Sequence, residues 1–270
     1  MQHVLTLRKI FLVFGFALIF VGCDMNKAQL PNANKEVLAA IYSYSANGEL
    51  SGKIEFEYDS NGNMTKWSEY NANGELSDYY SEYEYDSNGN ETKWSVYSAN
   101  GELSCYTEIE YDFKRNPTKN NDYNASGELL FIFEWEYDSN GRKTGWSNYN
   151  ANGELSDYVE FEYDSNGNMT KFSNYNANGE LSGYYEYEND SNGNQTKRND
   201  YNANGELVFK VEREYDSNGN ETKWKEYNAN GELSEYVEYE YDSNGNMTKR
   251  SEYYANGELH SYSVYLYKSI

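Results

Sequence analysis

The stretch KTGWSNYNANGELSDYVEFEYDSNGN, residues 143–168, decides how this chain is read. It holds two turn signals of one chemistry, Asn150-Ala151-Asn152-Gly153 and Asp164-Ser165-Asn166-Gly167. In each, an Asx side chain at the first place can accept backbone hydrogen bonds and a glycine at the fourth can take positive φ, which suits a type I turn followed by a bulge. Three-residue hairpin loops are built that way. Between the turns lie segments rich in Tyr, Thr and Trp, the composition of antiparallel strands.

The same unit recurs along the chain. The glycine of N-G-E-L (S-G-E-L once) falls at Gly48, Gly74, Gly101, Gly127, Gly153, Gly179, Gly205, Gly231 and Gly257, spaced by 26 residues except for one interval of 27. The Y-D-S-N-G-N series begins at Tyr58, Tyr85, Tyr111, Tyr137, Tyr163, Asn189, Tyr215 and Tyr241. A period of this size means stacked repeats rather than a globular core. The expected fold is all-β: a long antiparallel meander of tandem hairpins forming a twisted or coiled open sheet over residues 37–270. The extra residue near Tyr80 and Ser81 would invert the alternation of faces, and a local bulge is the least costly repair.

Side chains alternate along a strand. Pairing Asn150 with Glu154 and continuing without interruption sets Trp146 opposite Tyr158, and the second turn sets Glu160 opposite Phe172. That register turns Leu155, Val159, Phe161, Tyr163 and Tyr175 inward, and Trp146, Tyr158 and Phe172 toward solvent. The column Trp67, Trp94, Trp146, Phe172 and Trp224, with Tyr158 beside it, would then be a flat aromatic platform suited to stacking on sugar rings. Cross-strand aromatic packing is the competing role for the same residues.

Composition limits function. The 270 residues carry 22 Lys+Arg against 45 Asp+Glu, a formal charge of −23, which argues against a nucleic-acid partner bound through its phosphates. Two His and two Cys are too few for a His-based catalytic set, a zinc cluster or a disulfide scaffold. D-S-N-G-N resembles the start of an EF-hand loop at Asp59, Asn61 and Asn63, but the sixth and twelfth places hold Met64 and Tyr70 instead of Gly and Glu. No catalytic, metal or cofactor site is expected, and the chain is read as non-enzymatic.

The N-terminus reads as an address. His3, Arg8 and Lys9 precede an apolar run from Ile10 to Val21, too short for a spanning helix and of the length of a secretory signal. Phe20-Val21-Gly22-Cys23 resembles the lipobox of bacterial lipoproteins, which implies a signal peptide over residues 1–22, a lipid on Cys23 and a tether over residues 23–36. The chain would then be exported through the inner membrane and held in the cell envelope by its lipid.

At the Y-x-Y-D-x-x-G-[NR]-x-T segments, for example Tyr83 to Thr92, Trp135 to Thr144 and Tyr239 to Thr248, the chain resembles the YD repeats of the RHS family. The resemblance covers residues 42–267 and implies long antiparallel sheets that coil into shells. Large members of that family enclose a C-terminal toxin, a role that does not carry over to so short a chain.

Irregular copies mark places where specificity could sit. Asp112-Phe113-Lys114-Arg115-Asn116-Pro117 puts Arg115 where glycine belongs, as decay of a copy or as a contact point. Leu129 to Phe133 is apolar on both faces, from burial on both sides or as a docking patch. Ala39, Ala40, Ile41, Val264 and Leu266 depart from the repeat in the manner of capping copies. Two functional classes remain open: a scaffold whose sheet binds an envelope protein, and a module that binds polysaccharide through its aromatic stripe.

Overall fold

The computed structural model describes residues 36–270. The calls on residues 1–22, on Cys23 and on the tether therefore lie outside the described residues, save that Glu36 already belongs to the first strand. Eighteen strands follow in order: β1 (Glu36–Ser45), β2 (Leu50–Tyr58), β3 (Met64–Asn71), β4 (Leu76–Tyr85), β5 (Glu91–Ser98), β6 (Leu103–Tyr111), β7 (Pro117–Asn124), β8 (Leu129–Tyr137) and β9 (Lys143–Asn150). The second half comprises β10 (Leu155–Tyr163), β11 (Met169–Asn176), β12 (Leu181–Asn189), β13 (Gln195–Asn202), β14 (Leu207–Tyr215), β15 (Glu221–Asn228), β16 (Leu233–Tyr241), β17 (Met247–Tyr254) and β18 (Leu259–Ser269).

Each strand pairs antiparallel with its neighbours in sequence, and β1 also pairs with β18. The sheet is therefore a closed up-and-down barrel, which corrects the expectation of an open sheet. The seam keeps the repeat's own register: Ile41 lies opposite Tyr265 and Leu38 opposite Tyr267, as Arg250 lies opposite Tyr239 and Met247 opposite Tyr241. Nine two-strand units thus fit around one ring, and closure removes the unpaired backbone groups that both ends of an open sheet would expose. The atypical Ala39, Ala40, Ile41, Val264 and Leu266 are the residues of this seam.

The turns show why the motif is so uniform. Asn150 Oδ1 accepts from the backbone N–H groups of Asn152 and Glu154, and its Nδ2 donates to the Glu154 carboxylate at 2.7 Å. Asp164 accepts likewise from the N–H groups of Asn166 and Asn168 and from the Asn168 amide. Gly153 and Gly167 take φ of 79° and 90°, a region costly to residues with a Cβ. Arg115 occupies the same conformation at φ 68°, with the Asp112 turn bonds intact, so the irregular copy keeps the turn.

One feature of the turns inverts the expected faces. Asn150 does pair with Glu154, but a bulge follows, so Asn148 lies opposite Asp157 and Trp146 opposite Val159 rather than Tyr158. A second bulge sets Phe172 opposite Phe161 and Lys171 opposite Glu162. Each bulge adds one residue to one strand and exchanges its faces. Trp146 and Phe172 therefore share the inner face with Val159 and Phe161, while Tyr158 and Tyr175 stack outside with ring centroids 4.8 Å apart. The extra residue of β4 is absorbed as expected, by a larger irregularity between Ser68 and Tyr70.

The tyrosine of each Y-D pair, and Tyr267 at the same place in the last copy, fastens one hairpin to the next. Tyr58, Tyr85, Tyr111, Tyr137, Tyr163, Tyr215, Tyr241 and Tyr267 donate their hydroxyls to a backbone carbonyl of the preceding strand at 2.7–3.1 Å. In the one deviant copy the Asn189 amide donates to the Met169 carbonyl at 3.0 Å. Chemistry differs there, but the bond is kept.

Closure can be tested at the seam, where the hydroxyls of Ser43 and Ser263 lie 3.3 Å apart. The double variant Ser43→Cys/Ser263→Cys should form an intramolecular disulfide under mild oxidation, detected by faster migration on a non-reducing gel. An open sheet would hold these positions at opposite ends and yield only intermolecular crosslinks.

Candidate functional site

Because nine units repeat around a closed ring, equivalent positions line the barrel at one level. The position of Trp146 is filled in turn by Ile41, Trp67, Trp94, Asn120, Trp146, Phe172, Arg198, Trp224 and Arg250. The next inner position on the same strands is filled by Ser43, Glu69, Val96, Asp122, Asn148, Asn174, Asp200, Glu226 and Glu252. The outer face behaves otherwise. All nine of these strands carry Tyr at the outer position held by Tyr175, and every strand from β2 to β16 of the other set carries an outward Glu-x-Glu pair such as Glu160 and Glu162.

On the outside the tyrosines pair face to face, as in Tyr80–Tyr97, Tyr106–Tyr123, Tyr184–Tyr201 and Tyr236–Tyr253. Lys66, Lys93, Lys171 and Lys223 place their ammonium groups 4.1–4.6 Å from the centre of a Tyr ring. Small residues such as Ser68, Ser95 and Ser173 are buried beneath this layer. A membrane-spanning barrel needs an outward apolar band about 25 Å tall. The exposed carboxylates of Glu57, Glu84, Glu110, Glu162, Glu188, Glu214 and Glu240 occupy that face instead, so the outer wall is made for water.

Large side chains of the inner wall are covered to unequal extents: Trp94, Trp146, Phe161, Phe172 and Tyr185 are half-buried, while Trp67 and Tyr83 are buried, as are Val211 and Ser81 at their feet. Connections between strands are turns of four or five residues, none long enough to fold across a mouth.

The lumen has two unlike arcs. Over β8 to β12 rings are in contact in two runs, Phe133 with Trp146 at 4.6 Å, and Phe161 with Phe172 at 5.2 Å followed by Phe172 with Tyr185 at 5.2 Å. Over β13 to β17 arginine and carboxylate groups dominate. Arg198 Nε lies 2.7 Å from Asp200 Oδ1, Arg213 Nε 3.5 Å from Glu221 Oε2, and Arg250 pairs with Glu252.

Of the residues expected to form a ligand platform, Trp67, Trp94, Trp146, Phe172 and Trp224 share the inner wall, with Trp67 the most buried. They do not form the solvent-side platform expected, because of the turn bulges. Tyr158 is separated from them on the outer face. Phe131 and Phe133 of the doubly apolar strand point inward and Ile132 outward, all half-buried rather than sealed under a second layer. Arg198, Arg213 and Arg250 were missed by sequence reasoning, although Arg198 and Arg250 occupy the Trp column and alignment of the copies would have found them.

Desolvation pushes Glu91 and Glu221 up to about 7, the latter despite Arg213 and Arg250, and pushes Asp122 and Asp200 up to about 6 despite the Thr107 hydroxyl and Arg198 respectively. In the turns, backbone N–H donation from Asn168 lowers Asp164.

No family model matches the chain, and no curated protein matches it. Among solved structures, a porin-like protein from Bacteroides uniformis is similar at 11% identity over 86% of this chain and 96% of its own, with a TM-score of 0.44. A porin-like protein from Bacteroides vulgatus is similar at 11% identity over 86% of this chain and 99% of its own, at a TM-score of 0.38. Part of the Photorhabdus luminescens Tc holotoxin pore is similar at 13% identity over 83% of this chain and 16% of that one, at a TM-score of 0.24.

The buried carboxylates set a pH dependence. A raised carboxyl contributes stability below its ordinary value and loses it as pH rises through its folded value, here 6 to 7; lowered turn aspartates contribute above their ordinary value and lose it on acidification. Thermal stability should therefore peak near pH 5 and decline toward pH 8. Glu91→Gln and Glu221→Gln should each flatten that decline by several degrees in melting temperature, which a melting series across pH checks.

Proposed function

We propose that this protein is a non-enzymatic binding protein of the bacterial cell envelope that holds a sugar chain against the inner wall of its barrel. The observation that carries the reading is where the repeats differ from one another. In a ring of equivalent units, a position that only supports the fold faces the same requirement in every copy and can keep one residue. The outer Tyr and Glu-x-Glu positions do so. The inner positions take Trp, Phe, Asn, Arg and Ile at a single level, as contact with an asymmetric ligand requires. Half-buried rings beside Asn, Thr and carboxylate groups suit sugars, whose faces stack on aromatics and whose hydroxyls need donors and acceptors.

Export by residues 1–22 and acylation of Cys23 complete the proposal, with residues 23–36 as tether and the membrane as a partner through the lipid. The resemblance to YD repeats enters as kinship of the hairpin unit. A protein-binding or structural scaffold is the second reading, favoured by the extended and uniform outer lattice of Tyr, Lys and Glu. Neither reading calls for a cofactor or for nucleic acid.

Two outcomes are expected. Cys23→Ser should release the protein from membranes and abolish metabolic labelling with palmitate; labelling that persists would sink the anchor assignment. Trp146→Ala should weaken retention on envelope polysaccharide about tenfold, or about 1.4 kcal/mol, while costing roughly 1–2 kcal/mol of stability, less than the 3–5 typical of a fully buried Trp. Measured together by affinity electrophoresis and thermal melting, a stability loss with unchanged retention would favour the scaffold.

A further inference from the structure

The turns of the barrel form two rings, one at each end, and the chain enters at the end that carries the Asp turns. β1 begins there: the Glu36 carboxylate accepts from the side-chain amide of Asn246, in the turn after β16, at 3.2 Å. Eight turns share this end, and seven of them place Ser, Asn and Gly after the Asp, as in Asp59-Ser60-Asn61-Gly62. The eighth, after β6, places Phe113, Lys114 and Arg115 there, and all three side chains are exposed. Phe113 is 93% exposed, where no other large apolar side chain among the described residues passes 49%.

Loss of the turn does not account for the change, because the bonds of the turn are kept. Asp112 accepts from the backbone N–H groups of Lys114 and Asn116, each at 2.8 Å, and from the Asn116 amide at 2.9 Å. Only the residues that face solvent differ, and Arg115 is held at φ 68°, which glycine would adopt without strain. The charge of the turn differs too. Asp112 against Lys114 and Arg115 leaves one net positive charge, whereas Arg142 only balances Asp138 in the next turn of the ring and the other six turns carry their Asp alone. Neither Lys114 nor Arg115 forms a salt bridge among the described residues: Arg115 donates to the Asn88 side-chain oxygen at 3.4 Å, and the Lys114 ammonium lies 5.8 Å from the centre of the Phe113 ring.

An exposed ring beside two cations suits the interface of an anionic bilayer, where the ring sits among headgroups and upper acyl chains while ammonium and guanidinium groups bond phosphate oxygens. One ring is too little apolar area to seat a folded protein. Thirteen residues separate Cys23 from Glu36, at most about 45 Å of fully extended chain, and the opposite ring of turns lies a strand length further on. We propose that the Phe113-Lys114-Arg115 turn is a second membrane contact, which lays the Asp-turn end of the barrel on an anionic phospholipid surface. This rests on the reading of Cys23 as the lipid anchor and adds the site that sets orientation. Acyl chains hold the protein at the bilayer but leave the barrel free to turn, and the rest of its acidic surface is repelled by anionic headgroups. The opposite mouth, ringed by the N-G-E-L turns, then faces away from the membrane.

The test places a photoreactive benzoylphenylalanine at position 113 of the full-length chain, purified from membranes and returned to vesicles of phosphatidylcholine with or without phosphatidylglycerol. Irradiation in the mixed vesicles should give phospholipid adducts, identified by mass spectrometry. Their yield should fall at least fivefold in phosphatidylcholine alone and in the variant Lys114→Asn/Arg115→Gly, since each cation near an anionic surface contributes a factor of about five. That variant restores the residues of the other seven turns, and should melt at the wild-type temperature or above. Yields undiminished in the folded variant would overturn the role of the cations and with it the anionic surface. Vesicle-bound protein without adducts would overturn the contact and leave the anchor standing, whereas adducts in a chain whose mass shows no acyl group would overturn the anchor and leave the contact standing. Failure to bind vesicles at all would overturn both. Irradiation in the cell envelope that joins position 113 to a protein in place of phospholipid would overturn the lipid class.

Discussion

Backbone pairing around a closed ring is the constraint on which everything else in this structure depends. Leu, Ile, Val and Phe make up only about 13% of the residues after position 22, a content that with this charge ordinarily means disorder. Here every strand has two hydrogen-bonded neighbours, including β1 and β18, so no strand relies on a deep core for its place. What apolar burial exists is spread over both faces: Tyr stacks and Lys stems outside, rings and valines inside. Tyrosine serves both purposes, since its ring covers area while its hydroxyl reaches a carbonyl of the next hairpin.

Much of the architecture was legible in the chain because the turn chemistry is local. Asn150 and Asp164 announce their turns through their own side chains, and the pairing of Asn150 with Glu154 follows from the loop alone. The faces were not legible, because they depend on a single unpaired residue just beyond each turn. Ser156 carries no signal that distinguishes a bulge from regular pairing, yet it moves Trp146 from outside to inside. Closure was equally hidden: it is settled by accumulated twist and coil over eighteen strands, a quantity no residue encodes by itself. Ala39, Ala40, Val264 and Leu266 did mark the joining strands, but as departures from the repeat they fitted a cap as well as a seam.

The candidate site follows the same division. The aromatic members were visible as a column of Trp and Phe, while the arginines at the same positions looked like breaks in it. Only when the copies lie side by side in a ring do Trp146, Arg198 and Arg250 become alternatives at one level of one wall. Outside, uniformity has its own physical sense. Glu160 and Glu162 with their equivalents keep the exterior acidic and mutually repelling, which keeps separate barrels apart in solution.

The in-register seam makes the number of units a geometric variable. Each unit adds two strands and shares its turn bonds and tyrosine hydrogen bond only with the units beside it, so gain or loss of one copy would change the circumference by about one part in nine and leave every local bond type in place. Unequal recombination between near-identical copies is then a way to alter bore without redesigning a wall. Divergence of the inward residues afterwards can fit the new width to a new occupant, so calibre and lining can evolve in separate steps.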